Sequence, residues 1–164
     1  MKKFINEIKP YVLIVVVVVL FRNFIATPAI VNGDSMIPIL KDHDIVIVNK
    51  LILKTNDIER FDVVVINNDE DGDRIIKRVI GLPNEKIEYK DNKLYINGKL
   101  KSYNIDFEDT DDFSTETGKD EYFVLGDNRN ISKDSRILGN FNTKDIIGIV
   151  HFRLYPFDKI GFIK

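Results

Sequence analysis

The chain begins with one long apolar segment and continues with short apolar runs separated by polar residues. The long segment covers 11–21 and includes five consecutive valines at 15–19. Valine is a mediocre helix former in water, but in a bilayer the backbone has no other hydrogen-bond partner, so such a run becomes helical. Pro10 suits the first turn of that helix, because its missing N–H is harmless there. The pattern therefore predicts a transmembrane anchor over 10–26.

The lysines before the apolar segment set the predicted orientation. Three of them lie within residues 1–9, and positive charge stays on the cytoplasmic side of a membrane. We therefore expect 1–9 to be cytoplasmic and 27–164 to be extracytoplasmic, in a single-pass protein of the cell membrane. A cleaved signal peptide and a buried soluble helix are the alternatives. Pro28 disfavours cleavage nearby, and the run of valines disfavours a soluble helix.

Beyond residue 28, the short runs have the β-branched and aromatic composition of strands. They lie at 44–49, 62–66, 74–80, 86–89, 93–96, 122–125 and 146–152. Residues 90–92 predict a hairpin turn, and Asn97-Gly98 predicts another. We predict no helix of substantial length after the anchor. The expected fold class is therefore mostly β, a transmembrane helix followed by an antiparallel β domain.

Composition and charge exclude several classes of function. With 164 residues, the chain has room for one domain beside the anchor. The net charge is −2 and there is no basic field, so nucleic acid is not an expected partner. Cysteine is absent, which excludes disulfides and thiol catalysis, and His43 and His151 lack the spacing of a zinc site. We therefore expect neither a metal nor another cofactor.

The segment 105–121 is the most acidic part of the chain, with eight acidic residues and one lysine. Such a composition is typical of a solvated loop. A calcium site is the alternative, but the segment lacks the Asp-x-Asp-x-Asx-Gly pattern of a calcium loop.

Two short stretches contain a candidate nucleophile and a candidate base. Ser35 lies in a turn that contains glycine and proline, and Lys77 lies within the strand predicted over 74–80. Because alternate side chains share one face of a strand, Ile75 and Val79 flank Lys77, and burial among them would lower its pKa from about 10.4. Such a lysine can act as a general base near neutral pH. An ordinary turn serine and an edge-strand lysine that reaches water are the structural alternatives.

A third stretch, 126–136, is dense in Asp, Asn, Ser and Arg, which predicts a loop held by its own hydrogen bonds and ion pairs. The three stretches, in this order, resemble the type I signal peptidase (leader peptidase) family, in the small form of Gram-positive bacteria. The motifs are Gly-x-Ser-Met-x-Pro at 33–38, Lys-Arg-Val-Ile-Gly-Leu-Pro at 77–83 and Gly-Asp-Asn-Arg-x-x-Ser-x-Asp-Ser-Arg at 126–136. The block 60–65 resembles a further motif of the family.

The resemblance implies an enzyme, a serine peptidase that cleaves signal peptides from exported preproteins after small residues, of the Ala-x-Ala type. It implies that Ser35 is the nucleophile, that Lys77 is the general base and that Ser132 orients the lysine by a hydrogen bond. The Ser35 N–H would hold the oxyanion.

Two ion pairs are implied as supports of this site, one between Asp134 and Arg136 and the other between Asp127 and Arg78. The substrate would bind as an added strand beside the segments that carry the nucleophile and the base. The positions that correspond to the shallow substrate pockets are Val31, Met36, Leu40, Ile75 and Ile76. The implied fold has two antiparallel β lobes, with the smaller over about 85–121. The implied partners are signal peptides and the lipid bilayer, near the export translocase.

Several positions depart from the family pattern. Ile39 replaces a common threonine, Phe61 replaces a glycine, and Asn84 replaces another glycine, which is mild because asparagine tolerates positive φ. Gly33 lies where some members have a serine that donates to the oxyanion, so that second donor is missing here.

The alternative functions are a self-cleaving repressor of the LexA/UmuD type and a non-catalytic, membrane-anchored binding protein. The first would need a soluble arm in place of the valine-rich segment, and the second should have lost the serine or the lysine.

Overall fold

The computed structural model describes residues 2–24, 26–51, 58–68, 72–103 and 109–163, and the side chains of its first helix only over 7–19. This helix, α1, covers Lys2–Phe24 and contains Pro10. The helix therefore starts earlier than the predicted anchor and includes residues 2–9, which were expected to precede it. Ala26, the last residue of the predicted anchor, instead begins the first strand. Among the described residues we find no helix with both the length and the apolar character that crossing a membrane requires. The predicted anchor is thus not confirmed.

Most of the remaining described chain is β-strand, in two antiparallel sheets. The strands are β1 Ala26–Ile30, β2 Ile45–Asn49, β3 Val63–Asn68, β4 Asp73–Gly81, β5 Lys86–Lys90, β6 Lys93–Ile96, β7 Lys99–Lys101, β8 Phe113–Glu116, β9 Glu121–Leu125, β10 Phe141–Asn142, β11 Ile146–Tyr155 and β12 Gly161–Phe162. A short helix, α2 (Ser135–Leu138), precedes β10. The mostly antiparallel β fold predicted from the short apolar runs is confirmed.

The larger sheet has the strand order β1-β2-β11-β3-β4-β9-β10, with β12 paired to β11. Its central strand β3 begins with four consecutive buried aliphatic residues, as expected for a strand covered on both faces. Residues 73–78 of β4 pair with β3, but β9 pairs with β4 only from Arg78 onward. In the described sheet, residues 73–77 of β4 therefore have no paired strand on the side away from β3. A groove lies beside this open stretch.

The smaller sheet, ordered β7-β6-β5-β8, forms the lobe expected over about 85–121. The prediction of a solvated loop over 105–121 is wrong for residues 113–116, which form β8 and pair with β5. Phe113 explains the difference, because its ring stacks on Tyr89 with 5.2 Å between centroids and also contacts Phe123. This aromatic side chain attaches β8 to the core, although the segment around the strand is acidic. Residues 104–108 lie outside the described residues.

Two apolar clusters hold other parts of the chain against the larger sheet. One holds the turn around the candidate nucleophile, and the other holds the smaller lobe. Met36 and Leu40 belong to a cluster with the buried side chains of β2 and β3. Ile80 and Leu125, at the ends of β4 and β9, pack against Ile87 and other buried residues of the smaller sheet. Burial of this apolar surface favours one fixed arrangement of the lobes. The smaller lobe is thus attached directly to the strand that carries Lys77.

Candidate active site

Ser35 lies in the turn between β1 and β2, and its position is fixed from both sides. Before it, Gly33 has a φ of +82°, which glycine adopts without strain, and the Gly33 N–H donates to the Asp42 carboxylate at 2.8 Å. After it, Met36 and Leu40 are buried, and the Leu40 N–H donates to the Met36 carbonyl at 2.9 Å. The serine is left half-buried on a turn that is itself held firmly.

Lys77 comes from the middle of β4 and meets this serine. Its side chain is 4% exposed, and its Nζ lies 2.7 Å from the Ser35 Oγ, within hydrogen-bond distance. Burial lowers the pKa of Lys77 to about 8, while Asp134 and Asp127 oppose that change by favouring the charged form. The fold therefore places the desolvated lysine beside the candidate nucleophile, although 42 positions separate the two in sequence.

Ser132 is a further polar group of the site. Its Oγ is buried and has no hydrogen-bond partner in the described part of the chain. The hydrogen bond to the Lys77 amine that the resemblance implies is therefore not formed in this structure. Gly126 lies between this serine and the nucleophile. A Cβ built at 126 would overlap the Ser132 Oγ and would lie 2.6 Å from the Ser35 carbonyl oxygen. Only a residue without a side chain fits there.

Arg78, the neighbour of the lysine in β4, pairs with Asp127 inside the protein. Its Nε donates to Oδ1 and its Nη2 to Oδ2, both at 2.7 Å. The Arg78 Nη1 also donates to the Phe61 carbonyl at 2.8 Å and to the Tyr103 hydroxyl at 3.1 Å. Phe61 adopts a φ of 76°, which is unusual for a bulky residue, at the position where the resemblance led us to expect glycine. This network connects β4, the turn that precedes β3 and the 126–136 loop.

Asp134 holds the other half of that loop. Its side chain is fully buried, accepts a hydrogen bond from the Gly126 N–H at 3.0 Å and pairs with Arg136 through Nε at 2.9 Å. It also caps α2, since its carboxylate accepts from the Arg136 N–H. Both ion pairs implied by the resemblance are thus present, and both position backbone that contacts the candidate nucleophile or base.

A groove of about 740 Å³ opens beside Ser35 and Lys77, between β1 and the start of β4. The predicted substrate-binding residues that line it are Val31, Met36, Ile75 and Ile76. Leu40 does not line it, which corrects its prediction as a pocket residue. It is fully buried, because the turn after the serine directs this side chain into the apolar cluster beneath the groove.

Sequence reasoning missed much of the groove's remaining wall. Ala29, Val48, Val65 and Ile147 also line it. Alternation along β2, where Val46 and Val48 are buried, identifies core-facing residues. The alternation does not reveal that the buried face of this sheet continues into an open groove. Whether a buried-face residue lines the groove depends on which other strand covers it, and the local pattern carries no information about that strand.

The family described as signal peptidase, peptidase S26, matches residues 4–155. The chain therefore belongs to this family of serine peptidases. It is 41% identical to signal peptidase I P of Bacillus subtilis subsp. natto, in an alignment that covers 98% of this chain and 94% of that protein. It is 37% identical to signal peptidase IB of Staphylococcus aureus (strain MRSA252), with 90% and 87% covered.

A solved structure of the same kind is also similar. The crystal structure of a signal peptidase I from Enterococcus faecalis V583 matches with a TM-score of 0.51 at 36% identity, covering 56% of this chain and 95% of that one. Bacillus, Staphylococcus and Enterococcus are Gram-positive bacteria. The resemblance to the Gram-positive form of the family is therefore confirmed.

Proposed function

We propose that this chain is an endopeptidase that removes signal peptides from exported preproteins, with Ser35 as the nucleophile and Lys77 as the general base. The observation that carries the proposal is the distance of 2.7 Å between the Lys77 Nζ and the Ser35 Oγ, with the lysine 4% exposed. The two relatives described above are named signal peptidases, which supports signal peptides as the substrate.

The first half of the proposed reaction is acylation of Ser35. The neutral Lys77 amine accepts the Oγ proton while Oγ attacks the carbonyl carbon of the scissile bond. The carbonyl oxygen becomes an oxyanion, which the Ser35 N–H stabilises. When this intermediate collapses, the C–N bond breaks and the protonated lysine gives its proton to the leaving amine. The signal peptide is left as an ester on Ser35, and the mature protein departs.

The second half is hydrolysis of that ester. Lys77 takes a proton from water as the water attacks the ester carbonyl, and it returns the proton to the Ser35 Oγ as the signal peptide leaves. The lowered pKa of Lys77, about 8, makes both halves feasible near neutrality. About a tenth of such lysines are neutral at pH 7, compared with roughly one in several thousand at the usual pKa.

The groove supports binding of the substrate as an extended strand. β1 is the edge strand of its sheet, and residues 73–77 of β4 have an open side among the described strands. Open strand sides present backbone N–H and C=O groups that an added peptide can satisfy. The aliphatic side chains of Val31, Ile75 and Ile76 would narrow the pockets for alternate substrate residues. Pockets narrowed in this way would accept small side chains and exclude large ones. We therefore expect cleavage after small residues, of the Ala-x-Ala type.

We further propose that α1 holds the enzyme at the cell membrane. The valines at 15–19 are 46% to 60% exposed, and such a continuous apolar surface favours an apolar environment. The lysines within 1–9 would keep the N terminus cytoplasmic, which places the active site outside, near the export translocase. Alkaline extraction of membranes that contain the full chain tests this. We expect the chain to stay in the membrane pellet, and its release into the supernatant would contradict the anchor.

Cleavage of a preprotein with an Ala-x-Ala site by the full chain in detergent tests the enzymatic proposal. We expect the wild type to cut after the second alanine and Ser35→Ala to give no product. Ser114→Ala changes an exposed serine on β8 and serves as the control with unchanged rate. Normal cleavage by Ser35→Ala would exclude Ser35 as the nucleophile, and no cleavage by the wild type would contradict the proposed substrate.

A further inference from the structure

We propose that the smaller lobe positions the nucleophile. Tyr89 and Thr110 of that lobe hold Arg129, and Arg129 holds the 126–129 loop against the backbone of Ser35. The inference rests on the proposed serine–lysine chemistry and assigns to Tyr89, Thr110 and Arg129 a positioning role in it.

Arg129 is a buried cation at the junction of the two lobes. It is 2% exposed, and its Nη1 donates to the Tyr89 hydroxyl at 3.0 Å and to the Thr110 hydroxyl at 2.8 Å. The guanidinium also lies over the Tyr89 ring, 5.2 Å from the centroid. A guanidinium removed from water is stable only where its N–H groups find acceptors. These two side chains of the smaller lobe therefore restrict where Arg129 can lie.

The same arginine holds the backbone on the catalytic side. Its Nε donates to the Gly126 carbonyl at 2.9 Å, while the Gly126 N–H donates to the buried Asp134 carboxylate at 3.0 Å. Arg136 adds a third constraint, because its Nη2 donates to the Arg129 carbonyl at 2.6 Å. Gly126 is thus held through both its N–H and its C=O, by one side chain on each side.

The loop held in this way contacts the nucleophile directly. The Asn128 N–H donates to the Ser35 carbonyl at 3.0 Å, and a Cβ at position 126 would lie only 2.6 Å from that same oxygen. A shift of the loop by part of an ångström therefore moves Ser35 relative to Lys77. Small misplacements of reacting groups cost large factors in rate. Loss of the contacts at Tyr89 and Thr110 should thus reduce turnover, although neither residue lines the groove.

Tyr89→Phe and Thr110→Val remove the two acceptor oxygens and keep the bulk of both side chains. In the preprotein cleavage assay with the full chain, we expect the double variant to lose about tenfold in kcat with KM changed less than twofold, because the groove is intact. Tyr95→Phe is the matched control, on β6 of the same sheet and outside this set of contacts. Each single variant is measured too, which keeps the test decisive if the double variant does not fold.

A titration of the Lys77 amine by lysine-selective NMR separates positioning from mere loss of stability. We expect the pKa of Lys77 to rise from about 8 towards 10.5 in the double variant, since a displaced loop admits water. If kcat per folded molecule and the Lys77 pKa both match the Tyr95→Phe control, the inference is overturned. If the wild type cleaves no preprotein, the proposed function fails on its own. The titration then decides the inference alone, a risen pKa supporting it and an unchanged one overturning it.

Discussion

Arg78 and Asp127 form a two-point ion pair, with 2.7 Å at both contacts and neither side chain more than 1% exposed. Arg78 follows the proposed base directly along β4, and Asp127 follows Gly126 in the loop that contacts the nucleophile. The pair therefore fixes the strand that carries the base to the loop behind the serine. Removing one partner of such a buried pair leaves the other charge without a counter-ion, which is strongly destabilising.

Asp127→Asn is accordingly expected to lower the free energy of unfolding by about 3–5 kcal/mol, measured by urea unfolding. Lys86→Gln at the Lys86–Glu88 pair, where the side chains are 46% and 34% exposed, is the control. Its expected change is below about 1 kcal/mol, because water already solvates those charges. An effect of Asp127→Asn no larger than the control's would contradict the role given to the pair.

The buried amine of Lys77 should make stability depend on pH. Its pKa is about 8 in the folded chain and close to 10.5 when unfolded, so the folded chain binds fewer protons between these values. Stability attributable to Lys77 therefore rises with pH through this window and is lost again as the pH falls through 8. Relative to Lys77→Met, the wild type should gain about 3 kcal/mol in free energy of unfolding between pH 7 and pH 11. A pH-independent difference between the two proteins would contradict burial of the amine.

Ser132→Ala should lower kcat by roughly tenfold without abolishing cleavage, a factor that corresponds to one hydrogen bond of moderate strength. The Ser132 Oγ is buried without a partner in the described part of the chain, and we propose that it binds the Lys77 amine once a substrate is in place. Ser114→Ala, on the exposed face of the smaller lobe, is the control for the loss of a hydroxyl. An unchanged kcat in Ser132→Ala would remove this serine from the site.

Gly126→Ala should reduce kcat by about a hundredfold or more, since misplaced reacting groups lose rate steeply. The added methyl group would overlap the Ser132 Oγ and approach the Ser35 carbonyl oxygen to 2.6 Å. Gly161→Ala is a matched control, because a Cβ at 161 meets no atom of the described residues within 4 Å. Full activity in Gly126→Ala would show that the loop behind the nucleophile tolerates displacement.

The local features of this chain could be predicted from its sequence because they depend on residue types that are close together. The alternation around Lys77 indicated a desolvated lysine in a strand, and β4 buries it. Asn84, expected to tolerate a positive φ, has a φ of 60°. Both properties are set by a few neighbouring residues.

Features that depend on distant contacts could not be predicted in the same way. Phe113 belongs to a strand that pairs with β5, and its ring contacts those of Tyr89 and Phe123, which lie far from it in sequence or on other strands. An apolar residue such as Leu40 suits either a substrate pocket or the core, so its type does not indicate where it lies. The turn that begins at Met36 directs its side chain into the core. A motif that contains Ser132 likewise does not give the distance from its hydroxyl to the Lys77 amine.

The central claim is that Lys77, as a neutral amine, takes the proton of Ser35. The most direct test is kcat/KM for preprotein cleavage between pH 5 and pH 10, for the wild type and for Lys77→Met, which keeps most of the side-chain volume. We expect the wild-type value to rise about tenfold per pH unit below pH 7 and to level off above pH 9, around an apparent pKa of about 8. Lys77→Met should be inactive throughout. Cleavage by Lys77→Met, or a wild-type rate that does not change with pH, would contradict the claim.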